Sequence, residues 1–133
     1  MTKKTKPAAV IPMPRINSTY AGGEVMGVMA GQDGKPDYLL IDLGVEPTAD
    51  VTWQEALAWA KSVGGELPTR REQSVMFGNR REGQYRERWY WSCEQYAGYD
   101  AYAWFQSFGG GYQNGNRKVN HHRARAVRRV PFQ

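Results

Sequence analysis

Between Val51 and Gln73 the chain reads VTWQEALAWAKSVGGELPTRREQ, and two helix-start signatures stand in it with one stop between them. Thr52-Trp53-Gln54-Glu55 has capping-box spacing, in which a threonine hydroxyl accepts from the third helical amide and the glutamate reaches back to the cap N–H. Val51 and Ala56 are placed for a hydrophobic staple, and Ala56, Leu57, Ala60 and Val63 form one apolar stripe. Gly64-Gly65 is the stop. Thr69-Arg70-Arg71-Glu72 repeats the box directly after Pro68, with Val75 and Met76 as an apolar patch and Gly78-Asn79 as the next stop. The spacing predicts two short helices joined by the tight GGELPT link. Helices this short draw their stability from packing on something else.

Strand-like sequence lies on both sides. Upstream, GEVMGVMAG and DYLLIDLG flank QDGKP, a hairpin signal; alternation makes Leu39, Ile41 and Leu43 the expected core face. Downstream, a charged loop NRREGQYRER leads to short aromatic segments separated by Gly, Asn and Ser turns. Along YAWFQS, residues Tyr102, Trp104 and Gln106 share one face and Ala103, Phe105 and Ser107 the other. Phe108 continues the Trp104 face, so Trp104 and Phe108 are expected in the core. Gly109-Gly110-Gly111 frees the backbone for a turn, and Asn114-Gly115 is a type I′ turn signal. The expected class is α+β, with two short helices packed on a small, mainly antiparallel sheet and long C-terminal loops.

A chain of 133 residues is sized for one domain. Its 18 basic and 13 acidic side chains leave a net charge of +5, which favours polyanions or acidic protein surfaces as partners. Residues 1–15 carry Lys3, Lys4, Lys6 and Arg15 with Pro7, Pro12 and Pro14 and no acid. That composition predicts a flexible basic arm, with the folded domain at 16–133. The single cysteine, Cys93, excludes an internal disulfide and a multi-cysteine metal site, and it favours a reducing compartment. No run has secretory or membrane-spanning length. The expectation is a cytoplasmic protein with no membrane association.

Three stretches in order, ELPTRREQ, YWSCEQY and AWFQSFGGGYQNGNRKVNHHRARAVRRV, resemble the C-type-lectin-like superfamily. Within it they resemble bacterial and phage or prophage proteins of uncharacterised role, with their LPT, YWS and RAVR-like motifs. The resemblance implies strands from both termini meeting in one sheet and a binding surface built from C-terminal loops. It implies binding rather than chemistry, in the host cytoplasm if the chain is phage-encoded. A host defence or nuclease component fits as the protein bound. The chain departs from secreted lectins, having neither their disulfide cysteines nor a Glu-Pro-Asn or Trp-Asn-Asp calcium motif. It is similar to formylglycine-generating enzymes at fold level only, because the lone Cys93 does not supply their active-site cysteines.

Tyr gives rigid amphipathic area and Asn gives adaptable hydrogen bonds, the mixture that recognition loops favour. The candidate partner-binding residues are therefore Tyr99, Tyr102, Tyr112, Gln113, Asn114, Asn116, Asn120, His121 and His122. A competing reading is nucleic-acid binding by an arginine-rich face, carried by Arg117, Lys118, Arg123 and Arg125, with Arg123 and Arg125 on one side of a strand. Adjacent strand residues such as His121 and His122 point to opposite faces, and no Cys, Asp or Glu follows to complete a metal site. Nothing in the spacing of Ser92, Cys93 and His121 requires a nucleophilic set. The expectation is no enzyme, no metal and no cofactor.

Overall fold

The computed structural model describes residues 13–132. Most of the expected basic arm, residues 1–12, lies outside the described residues. The elements run β1 (Thr19–Tyr20), β2 (Gly23–Met29), β3 (Tyr38–Asp42), α1 (Trp53–Ser62), α2 (Arg70–Asn79), β4 (Trp89–Gln95), β5 (Tyr102–Ser107), β6 (Gln113–Arg117) and β7 (Val127–Pro131). They build an α+β fold with two antiparallel sheets, ordered β1-β2-β3-β7 and β4-β5-β6. β7 pairs with β3 from Tyr38↔Pro131 to Asp42↔Val127, so the last strand closes on the N-terminal hairpin.

Both capping boxes form. Glu55 N–H donates to Thr52 Oγ1 while Glu55 Oε1 accepts from the Thr52 amide at 2.9 Å; Glu72 and Thr69 repeat the exchange, with Oε1 2.8 Å from the Thr69 amide. α1 ends at the expected place, with the Val63 amide bonded back to Trp59 O. α2 ends at Asn79, within the expected Gly78-Asn79 stop, with Arg80 as cap in extended backbone; Gly78 itself is still helical. The Asn79 side chain anchors the last turn by donating to Met26 O at 2.7 Å. Gly27 makes that docking possible, since a Cβ there would lie 2.7 Å from Val75 Cγ1 on α2.

α1 packs Trp53, Ala56 and Ala60 against Trp91, Ala103 and Phe105 of the three-stranded sheet, with Ala124 and Ala126 completing the cluster. α2 puts Met76 against Met26, Leu40, Tyr90 and Phe108 between the two sheets. Deleting such a fully buried methionine costs about 2–5 kcal/mol. β3 is buried on both of its faces. Leu40 faces α2, while Leu39 and Ile41 meet Val25, Val130 and Phe132 behind it. The expectation of one core face at Leu39, Ile41 and Leu43 is therefore corrected. Leu43 lies beyond the strand, half-buried against the α1 cluster.

The polar interior is as specific as the apolar one. Asp42, fully buried, accepts from Tyr85 Oη at 2.6 Å and faces Arg125 at 3.4 Å. Arg125 also pairs with Glu46 at 2.7 Å and donates to Gln84 O at 2.6 Å. Arg123 joins Glu46 and Asp50. These bonds tie segments 44–50 and 84–86 to the approach of the last strand. Farther along the same strand pair, fully buried Glu72 takes Arg129 Nε and Nη2, at 2.7 and 2.8 Å, and the Tyr38 hydroxyl at 2.5 Å.

Candidate partner-binding surface

β5 is the centre strand of the second sheet, and the faces of this sheet decide where every candidate residue goes. Trp91, Ala103 and Phe105 point toward α1 and are buried. Trp104 points the other way and is only half-buried, which corrects its assignment to the core. Phe108 is in the core as expected, but by another route: β5 ends at Ser107, so strand alternation does not reach it.

Four aromatic rings gather on the Trp104 face. Tyr96 lies 4.5 Å from Trp104, and Tyr102 stands 6.0 Å from Tyr96 and 5.4 Å from Tyr99, centroid to centroid. Tyr99 is 62% exposed and crowns the group. The Arg70 guanidinium lies over Trp104, its carbon 3.4 Å from the ring centroid. Such cation–π contacts contribute about 0.5–2 kcal/mol.

The group is held rigidly. The Gln95 amide donates to the carbonyls of Tyr96, Tyr99 and Tyr102 at 3.1, 3.0 and 2.8 Å, filling the inside of the 96–102 turn. Arg70 is fixed from two directions: its Nε donates to Gln113 Oε1 at 3.0 Å, and its backbone amide donates to Glu94 Oε2 at 2.7 Å. Gln113 in turn donates to Arg70 O and Gln106 Oε1. Beside this lattice lies a hollow of about 550 Å³, lined by Tyr38, Arg70, Arg71, Ser74, Glu94 and Gln113 among others.

Asn114-Gly115, expected as a hairpin turn, sits in the middle of β6. The turn is made earlier, by residues 108–110, with the Gly111 amide bonded to Ser107 O. Gly115 serves the aromatic group instead. A Cβ there would fall 2.1 Å from Tyr96 Cδ2, so only glycine lets that ring lie flat on the strand.

The nine candidates therefore do not form one surface. Tyr99, Tyr102 and Gln113 join Tyr96, Trp104 and Arg70 on one face. Gln113 is half-buried by its bonds rather than presented. Tyr112, Asn114, Asn116, Asn120 and His122 fall on the other side. There Tyr112 Oη accepts from Trp89 Nε1 at 3.1 Å, and Trp89 stacks on Phe105 at 4.1 Å. His122 is half-buried against Trp91 and Trp89 at 4.9 and 5.3 Å, and Asn116 Oδ1 ties it to Asn120 at 2.8 and 2.9 Å. Burial holds the His122 pKa below its ordinary value, which favours the neutral ring. His121 is exposed next to it.

The arginine-rich face also resolves differently. Arg123 keeps 6% and Arg125 13% of its side chain exposed, each bound to internal carboxylates. They do not share an open strand face, because residues 123–126 only bridge locally and approach β7 rather than forming it. Arg117 is exposed, and Lys118 folds back onto Gln95 Oε1 and the Trp53 ring.

Sequence reading missed Tyr96, Gln95 and Arg70. The available signal was QYAGYDAY, a glutamine ahead of a turn that has an aromatic residue at every third position. Burial pushes the Cys93 thiol up to about 11, so it stays protonated at neutral pH. Among the described residues no group of three or more His, Cys, Asp or Glu is placed to hold a metal ion, and no helix is long and apolar enough to cross a membrane. A scan against protein-family models finds none that matches the chain, and a search of curated proteins returns no significant match.

Proposed function

We propose that this chain is a non-catalytic binding module of C-type-lectin-like fold, phage- or prophage-encoded, that recognises a protein partner. The contact centres on Tyr96, Tyr99, Tyr102 and Trp104 with Arg70. The resemblance in sequence is supported by the two helices and by the pairing of the last strand with the N-terminal hairpin. The observation that carries the function is the ring cluster itself. Tyr, Trp and Arg are the side chains in which interface energy concentrates. Here they are immobilised beforehand, so binding costs little further side-chain entropy.

The charge around the cluster favours a protein over a nucleic acid. Glu94 and Asp100 lie among Arg70, Arg71, Arg117 and Lys118, so acids interrupt the bases and no unbroken cationic track crosses the patch. The hollow beside Arg70 offers a place for one anchoring side chain. A host defence or nuclease component is a class of partner that fits such a module, and no motif in the chain specifies it.

The test is affinity capture from host cells with the wild type and with Tyr99→Ala combined with Tyr102→Ala, with and without nuclease treatment. A specific protein captured by the wild type and retained after nuclease should bind the double variant at least about 30-fold more weakly, the loss of about 2 kcal/mol typical of a hot spot. Equal capture by the double variant overturns the assignment of the surface. Salt-steep binding of labelled oligonucleotides, lost with Arg117→Ala and Lys118→Ala, would favour the nucleic-acid reading instead.

A further inference from the structure

The second sheet has two edges, and they are treated differently. β4 is covered: the Trp91 amide donates to Arg123 O, the Arg123 amide donates to Trp89 O, and the Cys93 amide donates to Pro68 O. In the other sheet β1 is only two residues long, and β7 is capped at Val127 by Glu66. Among the described residues, β6 is the edge strand of five or more residues that has no isolated bridge on its outer side.

The register shows which groups are open. Ser107 donates to Tyr112 O and Lys118 donates to Ala101 O, so residues 112, 114, 116 and 118 turn their backbone groups toward β5. Gln113, Gly115 and Arg117 turn theirs outward. The Gly115 amide meets only the Oδ1 of Asn114 at 2.7 Å, and the Arg117 carbonyl takes the Asn120 amide. Natural sheets guard such an edge with lysine, proline or a bulge. Gln113-Asn114-Gly115-Asn116-Arg117 contains no lysine and no proline, and its pairing with β5 runs without a register shift.

We infer that β6 is a self-association edge, which pairs antiparallel with β6 of a second copy about a two-fold axis at Gly115. A two-fold axis at Gly115 sets residue 115−n of one copy against residue 115+n of the other. Gly115 then faces Gly115, and the two outward amides and carbonyls satisfy each other. Each Asn114 lies opposite Asn116 of the second copy, amide against amide. Each Arg117 lies opposite Gln113 of the second copy, at the rim of the hollow that also holds Glu94, so no like charges face each other across the pair. The pairing joins two three-stranded sheets into one of six strands. A five-residue pair buries less than the roughly 1,000 Å² of a stable interface, so the dimer is weak and concentration-dependent.

The edge adjoins the ring cluster through Gly115 and Gln113, but the inference does not rest on partner binding there and has its own test. Sedimentation of the wild type from low micromolar to near-millimolar concentration should show the mass rising from one chain toward two. Asn114→Lys with Asn116→Lys sets lysine against lysine in both symmetry-related pairs and should remove the dimer. Asn114→Asp with Asn116→Lys sets opposite charges there and should restore it, with both variants melting near one another. In unmodified protein, amide exchange at Gly115 and Arg117 should slow at least about tenfold on concentration, while Asn114 and Asn116 stay protected throughout. A monomer at every concentration, a dimer whose Gly115 and Arg117 exchange does not change, or a dimer insensitive to the double lysine variant would each overturn it.

Discussion

Arg125→Met tests the ionic interior, because one substitution leaves the fully buried Asp42 carboxylate without its cation, while Glu46 keeps Arg123 and the Tyr90 hydroxyl. Asp42 has no exposed surface, and its neighbours are the Tyr85 hydroxyl, Gln84 and Arg125. Glu46 is buried alongside and takes Arg125 Nε at 2.7 Å. Methionine fills a similar volume, so little cavity is made and the loss is mainly electrostatic. Removing one partner of a buried pair costs about 3–5 kcal/mol, because the remaining charge is left without compensation. For a chain of this size each kcal/mol lowers Tm by about 3–6 °C, giving a fall of roughly 9–30 °C. The assay is thermal and urea unfolding at pH 7, by circular dichroism. Asp42→Asn with Arg125→Met should lose less than the two single variants added together, since the orphaned charge has gone. A single variant that unfolds within about 1 kcal/mol of the wild type would refute the argument, because that is what an exposed ion pair contributes.

Acid should unfold the protein in two ranges. Burial lowers the His122 pKa, so its contribution fades as pH falls below about 6.5. Burial alone would raise Glu46 and Glu72, but bonds to Tyr90, Arg123 and Arg125, and to Arg129 and Tyr38, leave both below 4.5; their contribution is present above that pH and is lost beneath it. Burial, and then bonds to these glutamates, push Tyr38 and Tyr90 up to about 12. Their contribution is complete below pH 10 and should fall away between 10 and 12, which a Tm–pH series would read. Gly115→Ala should displace Tyr96 and cost about 1–3 kcal/mol, visible as altered Trp fluorescence with lowered stability. Thr69→Ala should cost about 1 kcal/mol in urea unfolding and Thr69→Ser nearly nothing, since the hydroxyl alone makes the cap.

The helices were legible because capping is local: Thr52 with Glu55 and Thr69 with Glu72 carry the whole signal within four residues. The hairpin was legible for the same reason. What failed was long-range. Alternation in YAWFQS named the two faces correctly but could not say which one α1 would cover, so Trp104 and Phe105 exchanged roles. Asn114-Gly115 has turn chemistry, yet the three glycines before it had already turned the chain, and Gly115 was needed under Tyr96. Arg123 and Arg125 read as surface cations because Asp42, Glu46 and Asp50, which neutralise them, lie more than seventy residues away. Of the candidate surface, Tyr99 and Tyr102 were found, while Arg70, from a helix start, could be joined to them only by the fold.

The central claim is that the ring cluster is the contact with a protein. Site-specific photo-crosslinking inside host cells tests it most directly, with a photoreactive phenylalanine at position 99 and, as control, at exposed position 28 on the other sheet. The account predicts a discrete protein adduct from position 99 that disappears with Trp104→Ala or Arg70→Ala and is absent from position 28. Equal adducts from both positions, or a nucleic-acid adduct from position 99, would contradict it.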